Sequence, residues 1–149
     1  MKVTAVETVR VAEFPNLLWV QVHTDEGLVG LGETFYGPEA AEAHIHGIIA
    51  QALTGKDPRN VEGIQGALTG YVGFSSASAE MRGRSAIDIA LWDILGQAAN
   101  LPLCDLLGGR VREAIPVYNT CAGPGEGMPA PGTPRHRLQI GRASCRERV

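Results

Sequence analysis

The chain has no stretch of about 18 consecutive apolar residues, so no segment reads as a bilayer-spanning helix. It lacks a basic n-region followed by an apolar h-region, and no secretory signal is read. Cysteine is scarce. Cys104, Cys121 and Cys145 are odd in number and far apart, matching neither a disulfide framework nor zinc-ligand spacing. A reducing, cytoplasmic setting is the expectation. Clustered positive charge is also missing from most of the chain. Met1 to Ala122 carry 8 Lys+Arg against 14 Asp+Glu, a balance of −6. A mildly acidic body excludes nucleic acid as an expected partner, because phosphate contact needs grouped Lys or Arg. There is no G-x-S-x-G elbow to support a serine–histidine–acid set.

What is present is a globular chain, 44% hydrophobic, that begins with strand-like text. Lys2 to Ala12 alternates, with Val3, Ala5, Val9 and Val11 expected on one face. Leu18 to Thr24 repeats the alternation through Leu18, Val20 and Val22. Asp25-Glu26-Gly27 is a turn signal, and Leu28 to Thr34 returns as a third strand. The expectation is a three-stranded antiparallel sheet.

Helical text follows. Pro38 can open a first turn, and Ala41, Ile45, Ile48, Ile49 and Ala52 recur at helical spacing before Gly55. Asp57-Pro58 starts a second segment, with Val61, Ile64, Gln65 and Leu68 as its stripe. Gly70 to Ser78 reads as a loop. The strongest helix carries Ile87, Ala90, Leu91, Ile94, Leu95 and Ala98 on one face. It is expected to start near Ser78, with Gly83 allowing close packing, and to stop at Asn100 before Leu101-Pro102. Ala114 to Thr120 is strand-like again.

The text then changes. Gly123 to Pro134 has four glycines and four prolines in twelve residues, which suits neither ladder nor helix. Gly123 to Val149 carry 5 Lys+Arg against 2 Asp+Glu, a balance of +3. One back-translation of Ile140 to Val149 resembles a widely used sequencing adapter. Residues 123–149 are therefore expected to be a disordered or artefactual tail, outside the fold.

Several candidate sites have dull explanations. His44 and His46 lie two apart on a helix and would point in different directions, which does not suit one metal ion. Gly27, Gly30 and Gly32 superficially resemble a phosphate loop. A dinucleotide fingerprint needs a strand, the glycines and then a helix, whereas these lie in a hairpin, where glycine marks a bulge or close backbone approach. Asp88 and Asp93 diverge on one helix. Capping, or pairing with Arg84, Arg110 or Arg112, is expected of them. Cys121 is expected to be a structural thiol.

One motif is specific. Ser85-Ala86-Ile87-Asp88, Ala90-Leu91-Trp92-Asp93, Gly96-Gln97, Pro102-Leu103 and Leu106-Leu107-Gly108-Gly109 resemble the mandelate racemase/muconate lactonizing enzyme branch of the enolase superfamily. Gly83 departs from the motif, which usually begins with alanine. The hairpin turn Asp25-Glu26-Gly27 with Gly30, Gly32 and Glu33 also fits. The resemblance runs from Met1 to about Gly123.

The resemblance implies an α+β fold: a three-stranded antiparallel sheet followed by a helical bundle over residues 1–113. This capping domain would cover the mouth of a (β/α)₈ barrel, with residues 114–122 as the first barrel strand. The family's Lys-x-Lys base motif and acidic magnesium ligands belong to later barrel strands, and lysine does not occur after Lys56. The implied parent is a magnesium-dependent enzyme abstracting a proton next to a carboxylate. The loop Val72 to Ser76 and the segment Val117 to Gly123 resemble members acting on sugar acids, so acid-sugar dehydration is expected. Racemisation, epimerisation and cycloisomerisation share the half-reaction and stay open. The parent is expected to be a homo-oligomer taking a small-molecule carboxylate. No Mg2+ and no catalytic residue are expected on this chain. Two loops imply substrate gating: Glu13 to Leu18, with Phe14, Asn16 and Leu17, and Thr34 to Pro38, with Thr34, Phe35 and Tyr36. The aromatics would gate a pocket or staple their loops to the core, and stapling is favoured for Phe14. A free-standing, non-catalytic interaction module is the reading from another class.

Overall fold

The computed structural model describes residues 1–69 and 78–116. Three strands form one antiparallel sheet in sequence order: β1 (Val3–Val9), β2 (Leu17–Thr24) and β3 (Val29–Phe35). The sheet is followed by α1 (Pro38–His44), a π-helical turn (Ile45–Ile49), α2 (Ala50–Leu53), α3 (Val61–Leu68), α4 (Ser78–Ala99) and α5 (Leu103–Leu106). This is the expected α+β arrangement. Among the described residues, no helix is long and apolar enough to cross a membrane.

The inner sheet face presents Leu18, Val20 and Val22, all fully buried. Each contributes up to roughly 2 kcal/mol by leaving water. They meet Ile87, Leu91 and Ile94 of α4 and Ile45, Ile49 and Leu53 of the preceding rod in a single core. Of the two roles expected for the β3 glycines, bulge or close backbone approach, the second holds. A methyl group on Gly30 would lie 2.1 Å from the carbonyl oxygen of Ala90, and one on Gly32 would lie 1.9 Å from that of Ala86. Strand and helix therefore touch main chain to main chain.

Two expected faces shift phase. Val3 pairs with Thr24 but Ala5 pairs with His23, so Thr4 is an extra residue and the pairing slips there. Past this bulge the even positions turn inward: Val6 opposes buried Val22 and packs on the core, while Val9 and Val11 are exposed. In the first helical rod, the π turn puts one more residue into the turn. Ala41, Ile45, Ile49 and Leu53, spaced by four, are then buried in line, whereas Ile48 is 59% exposed and Ala52 faces solvent.

The helix ends follow their local chemistry. The Asn60 side chain accepts from the Gly63 backbone N–H at the start of α3. At the end of α4, Asn100 takes φ 52°, Leu101 N–H donates to Gly96 and Asn100 N–H donates to Gln97. This is a Schellman closure with asparagine in the left-handed position. Gly83 is buried against Ala41 and Ile45 of the first rod, as expected. Ala98 is exposed, because the inner face of α4 ends at Leu95. Ala114 to Pro116 are exposed and in no strand. The rest of the expected barrel strand, the Val72 to Ser76 loop, Cys121, Cys145 and residues 123–149 lie outside the described residues.

Candidate functional site

The two loops expected to gate the substrate lie at one end of the sheet because the antiparallel register puts them there. Leu17, the first residue of β2, opposes Phe35, the last of β3. Paired residues share a face, so both belong to the outer face, away from the core. One step beyond, the Tyr36 N–H donates to the Asn16 carbonyl at 2.8 Å and prolongs the ladder into the loops. Phe14 sits in a tight turn in which its N–H donates to Val11 and its carbonyl accepts from Leu17. Its ring meets Trp19 edge-on, with centroids 6.2 Å apart and planes at 80°.

Phe14, Asn16, Leu17, Phe35 and Tyr36 thus converge on one rim. Thr34 does not join them: it opposes buried Leu18 and shares the inward side. Phe35 and Tyr36 are 57% and 64% exposed, with ring centroids 6.1 Å apart.

Tyr36 is also conformationally unusual. Its φ is 70°, and that of Gly37 is 71°. Glycine tolerates this region, but an aromatic residue there costs about 1–2 kcal/mol. Arg82, in the first turns of α4, reaches this corner. Its Nη1 donates to the Phe35 carbonyl, and its guanidinium lies 5.5 Å from the Tyr36 ring centroid. The sequence reading missed Arg82. Its place follows from a packing register that the text does not show: Gly30 meets Ala90 and Gly32 meets Ala86, so two strand residues match four helix residues. One further step pairs Thr34 with Arg82.

The motif acids also have definite places. Asp93 Oδ2 accepts from the Leu31 backbone N–H at 2.8 Å and from Gln97 Nε2 at 3.0 Å. Gln97 Nε2 also donates to the Val29 carbonyl at 2.8 Å. Asp93 therefore serves the open edge of β3, not one of the arginines expected as its partner. Asp88 is half-buried beside α3. Burial raises its carboxyl above the ordinary range, the charge of Glu62 adds to the rise, and Arg84 opposes it. The Arg84 guanidinium donates to Thr69 Oγ1 at 3.1 Å.

His46 Nε2 lies 2.8 Å from Thr8 Oγ1, which donates to Glu42 Oε1 at 2.7 Å. The His44 ring lies against Gly83 of α4, so the two histidines diverge as expected. Among the described residues, no three of His, Cys, Asp and Glu come together in a metal-holding group.

The family model described as "Mandelate racemase / muconate lactonizing enzyme, N-terminal domain" matches residues 2–108. A D-mannonate dehydratase of Novosphingobium aromaticivorans is 35% identical over 125 residues, covering 83% of this chain and 31% of its own length. A D-galactonate dehydratase of Variovorax paradoxus is 36% identical over 125 residues, covering 83% and 32%. A crystal structure of an enolase of the mandelate racemase subgroup from Agrobacterium tumefaciens is 57% identical with a TM-score of 0.73, covering 76% of this chain and 31% of that one. An enolase from Pantoea ananatis, solved with D-gluconate and magnesium, is 36% identical with a TM-score of 0.70, covering 75% and 28%. The chain spans about a third of the length of the curated relatives it matches. With its sheet, helices and glycine exit in that order, the chain belongs to the mandelate racemase/muconate lactonizing enzyme family, whose N-terminal domain it carries.

Proposed function

We propose that this chain is the capping part of a magnesium-dependent acid-sugar dehydratase and is inactive by itself. The parent's reaction removes the proton next to the carboxylate, expels the neighbouring hydroxyl as water, and leaves an enol that becomes a 2-keto-3-deoxy acid. The base and the magnesium ligands belong to the barrel portion, which begins near Ala114. No step through the ion is assigned to the described residues, which bring no three of His, Cys, Asp and Glu together.

The chain's own contribution is the rim. Phe14, Leu17, Phe35 and Tyr36 form an apolar edge at one end of a rigid sheet, and that edge excludes water from a substrate seated beneath it. The observation that carries this reading is the convergence of the two loops through Leu17–Phe35 pairing and the Tyr36–Asn16 hydrogen bond. Support for sugar acids comes from the relatives, named as D-mannonate and D-galactonate dehydratases.

The test has two arms. The purified chain, given magnesium and D-mannonate or D-galactonate, is expected to form no keto acid, and turnover there overturns the claim of inactivity. In the second arm, residues 1–116 replace the matching portion of the Novosphingobium aromaticivorans dehydratase. Keto-acid formation above that of the barrel without any cap is expected. A folded chimera no better than the uncapped barrel overturns the capping role.

A further inference from the structure

We infer that Arg82 is the positioning residue of the rim: it latches the strained Phe35–Tyr36–Gly37 corner to α4 and so sets the shape that the aromatic edge presents. This rests on the capping role proposed above and assigns the rim's order to a residue outside both loops.

Three observations meet at this corner. Tyr36 and Gly37 are consecutive left-handed residues, a conformation that an aromatic side chain does not hold unaided. Beyond the β2–β3 ladder, the Tyr36 N–H donates to the Asn16 carbonyl across the two loops. Arg82 adds two further holds. One is the hydrogen bond from Nη1 to the Phe35 carbonyl, immediately before the strained residue. The other is the guanidinium face against the Tyr36 ring. Arginine suits both tasks because its planar fork donates along the edge while its face stacks; a lysine ammonium cannot do both with the same geometry. The root of Arg82 is firm, since α4 is seated on β3 through Gly30 and Gly32 one and two turns further on.

A latch of this kind lowers the ordering cost that substrate binding otherwise meets, so its loss belongs in KM more than in kcat. In the chimera described above, Arg82→Ala is expected to raise KM about tenfold, the cost of ordering one or two aromatic side chains, with kcat within about threefold. Arg82→Lys is expected to recover part of the loss. Independently, hydrogen exchange in the chain itself reads the latch without any barrel. Arg82→Ala is expected to speed exchange at the Tyr36 N–H about tenfold or more, while the Leu31 N–H, held by Asp93, is unchanged. Tyr36→Leu, which removes only the stacking surface, is expected to give a smaller acceleration at residue 36. Unchanged Tyr36 exchange in both Arg82 variants overturns the latch. Faster exchange with an unchanged KM in an active chimera overturns the positioning role. An inactive wild-type chimera counts against the capping role alone, because the exchange arm still decides the latch.

Discussion

Gly32 lies with its backbone directly against the carbonyl of Ala86, so that a methyl group added to the glycine would sit 1.9 Å from that oxygen. Both partners are main chain, and neither can swing aside as a side chain could. Gly32→Ala therefore forces β3 and α4 apart and loosens the core they share. The expected loss is about 3 kcal/mol or more, at the upper end of overpacking costs, read as a fall in urea midpoint. Gly30→Ala should behave alike, because its methyl group would meet the Ala90 carbonyl at 2.1 Å.

Gly47 is the matching control. It sits in the π-helical turn with nothing within 4 Å of an added methyl group. Gly47→Ala is expected to be neutral or to stabilise by up to about 1 kcal/mol, through helix propensity and a less disordered unfolded chain. A loss for Gly47→Ala as large as that for Gly32→Ala would mean that glycine content, not the contact with α4, governs this part of the fold.

The open edge of β3 offers a second test. Asp93 accepts the Leu31 N–H, and Gln97 donates to the Val29 carbonyl. Asp93→Leu leaves a main-chain donor without its partner and uncovers a strand edge able to pair with another chain. A cost of about 1–3 kcal/mol is expected, with faster exchange at Leu31 and a greater tendency to aggregate. Asp93→Asn keeps an acceptor oxygen and should lose much less. Equal losses for the two variants would show that bulk at position 93, not the hydrogen bond, matters.

These contacts also show what could be read from the text and what could not. The stripe Ile87–Ala90–Leu91–Ile94 and the alternation Leu18–Val20–Val22 were legible because period 3.6 and period 2 each persist across a whole element. Val9, Val11 and Ile48 were misplaced because one inserted residue, the bulge at Thr4 or the π turn at Ile45–Ile49, resets the phase without any change in composition. Gly30 and Gly32 were read as marking either a bulge or a close backbone approach, and the second is what the structure has. The helix they approach was not visible, since it lies some 55 residues further along the chain. Tyr36 and Phe35 could be named from the family resemblance, which implies a gating loop at the end of the third strand. Arg82 could not, because its role depends on how α4 is seated on the sheet.

Asp57 and Arg59 give a titration with a defined sign. The Arg59 side chain and then its backbone N–H donate to Asp57, holding that carboxyl at about 2 instead of the ordinary 3.8. A depressed native value means that ionised Asp57 favours the folded chain above its ordinary pKa. That contribution fades as the pH falls from about 4 to about 2. The pair is largely exposed, so the effect on overall stability is small. Carboxyl-carbon NMR should give a midpoint near 2 for Asp57. In Arg59→Ala it should move back toward 3.8, and a midpoint that stays put would assign the depression to another group.

Asp88 has the opposite sign. Its raised native value, caused first by burial and then by Glu62, means that the folded chain binds this proton more readily than the unfolded chain does. Ionised Asp88 therefore opposes folding at neutral pH. The penalty is relieved as the pH falls through the raised native value, and it is gone below the ordinary carboxylate range. Asp88→Asn removes the charge while keeping the shape, so it should raise Tm at pH 7. The gain should shrink as the pH falls, and wild type and variant should melt together near pH 3. Glu62→Gln should give a smaller gain of the same sign, because it removes only the second cause. A lower Tm for Asp88→Asn at pH 7 would show that the carboxylate holds a favourable partner that outweighs its burial, and Asp88 would then join Asp93 as a structural acid of the motif.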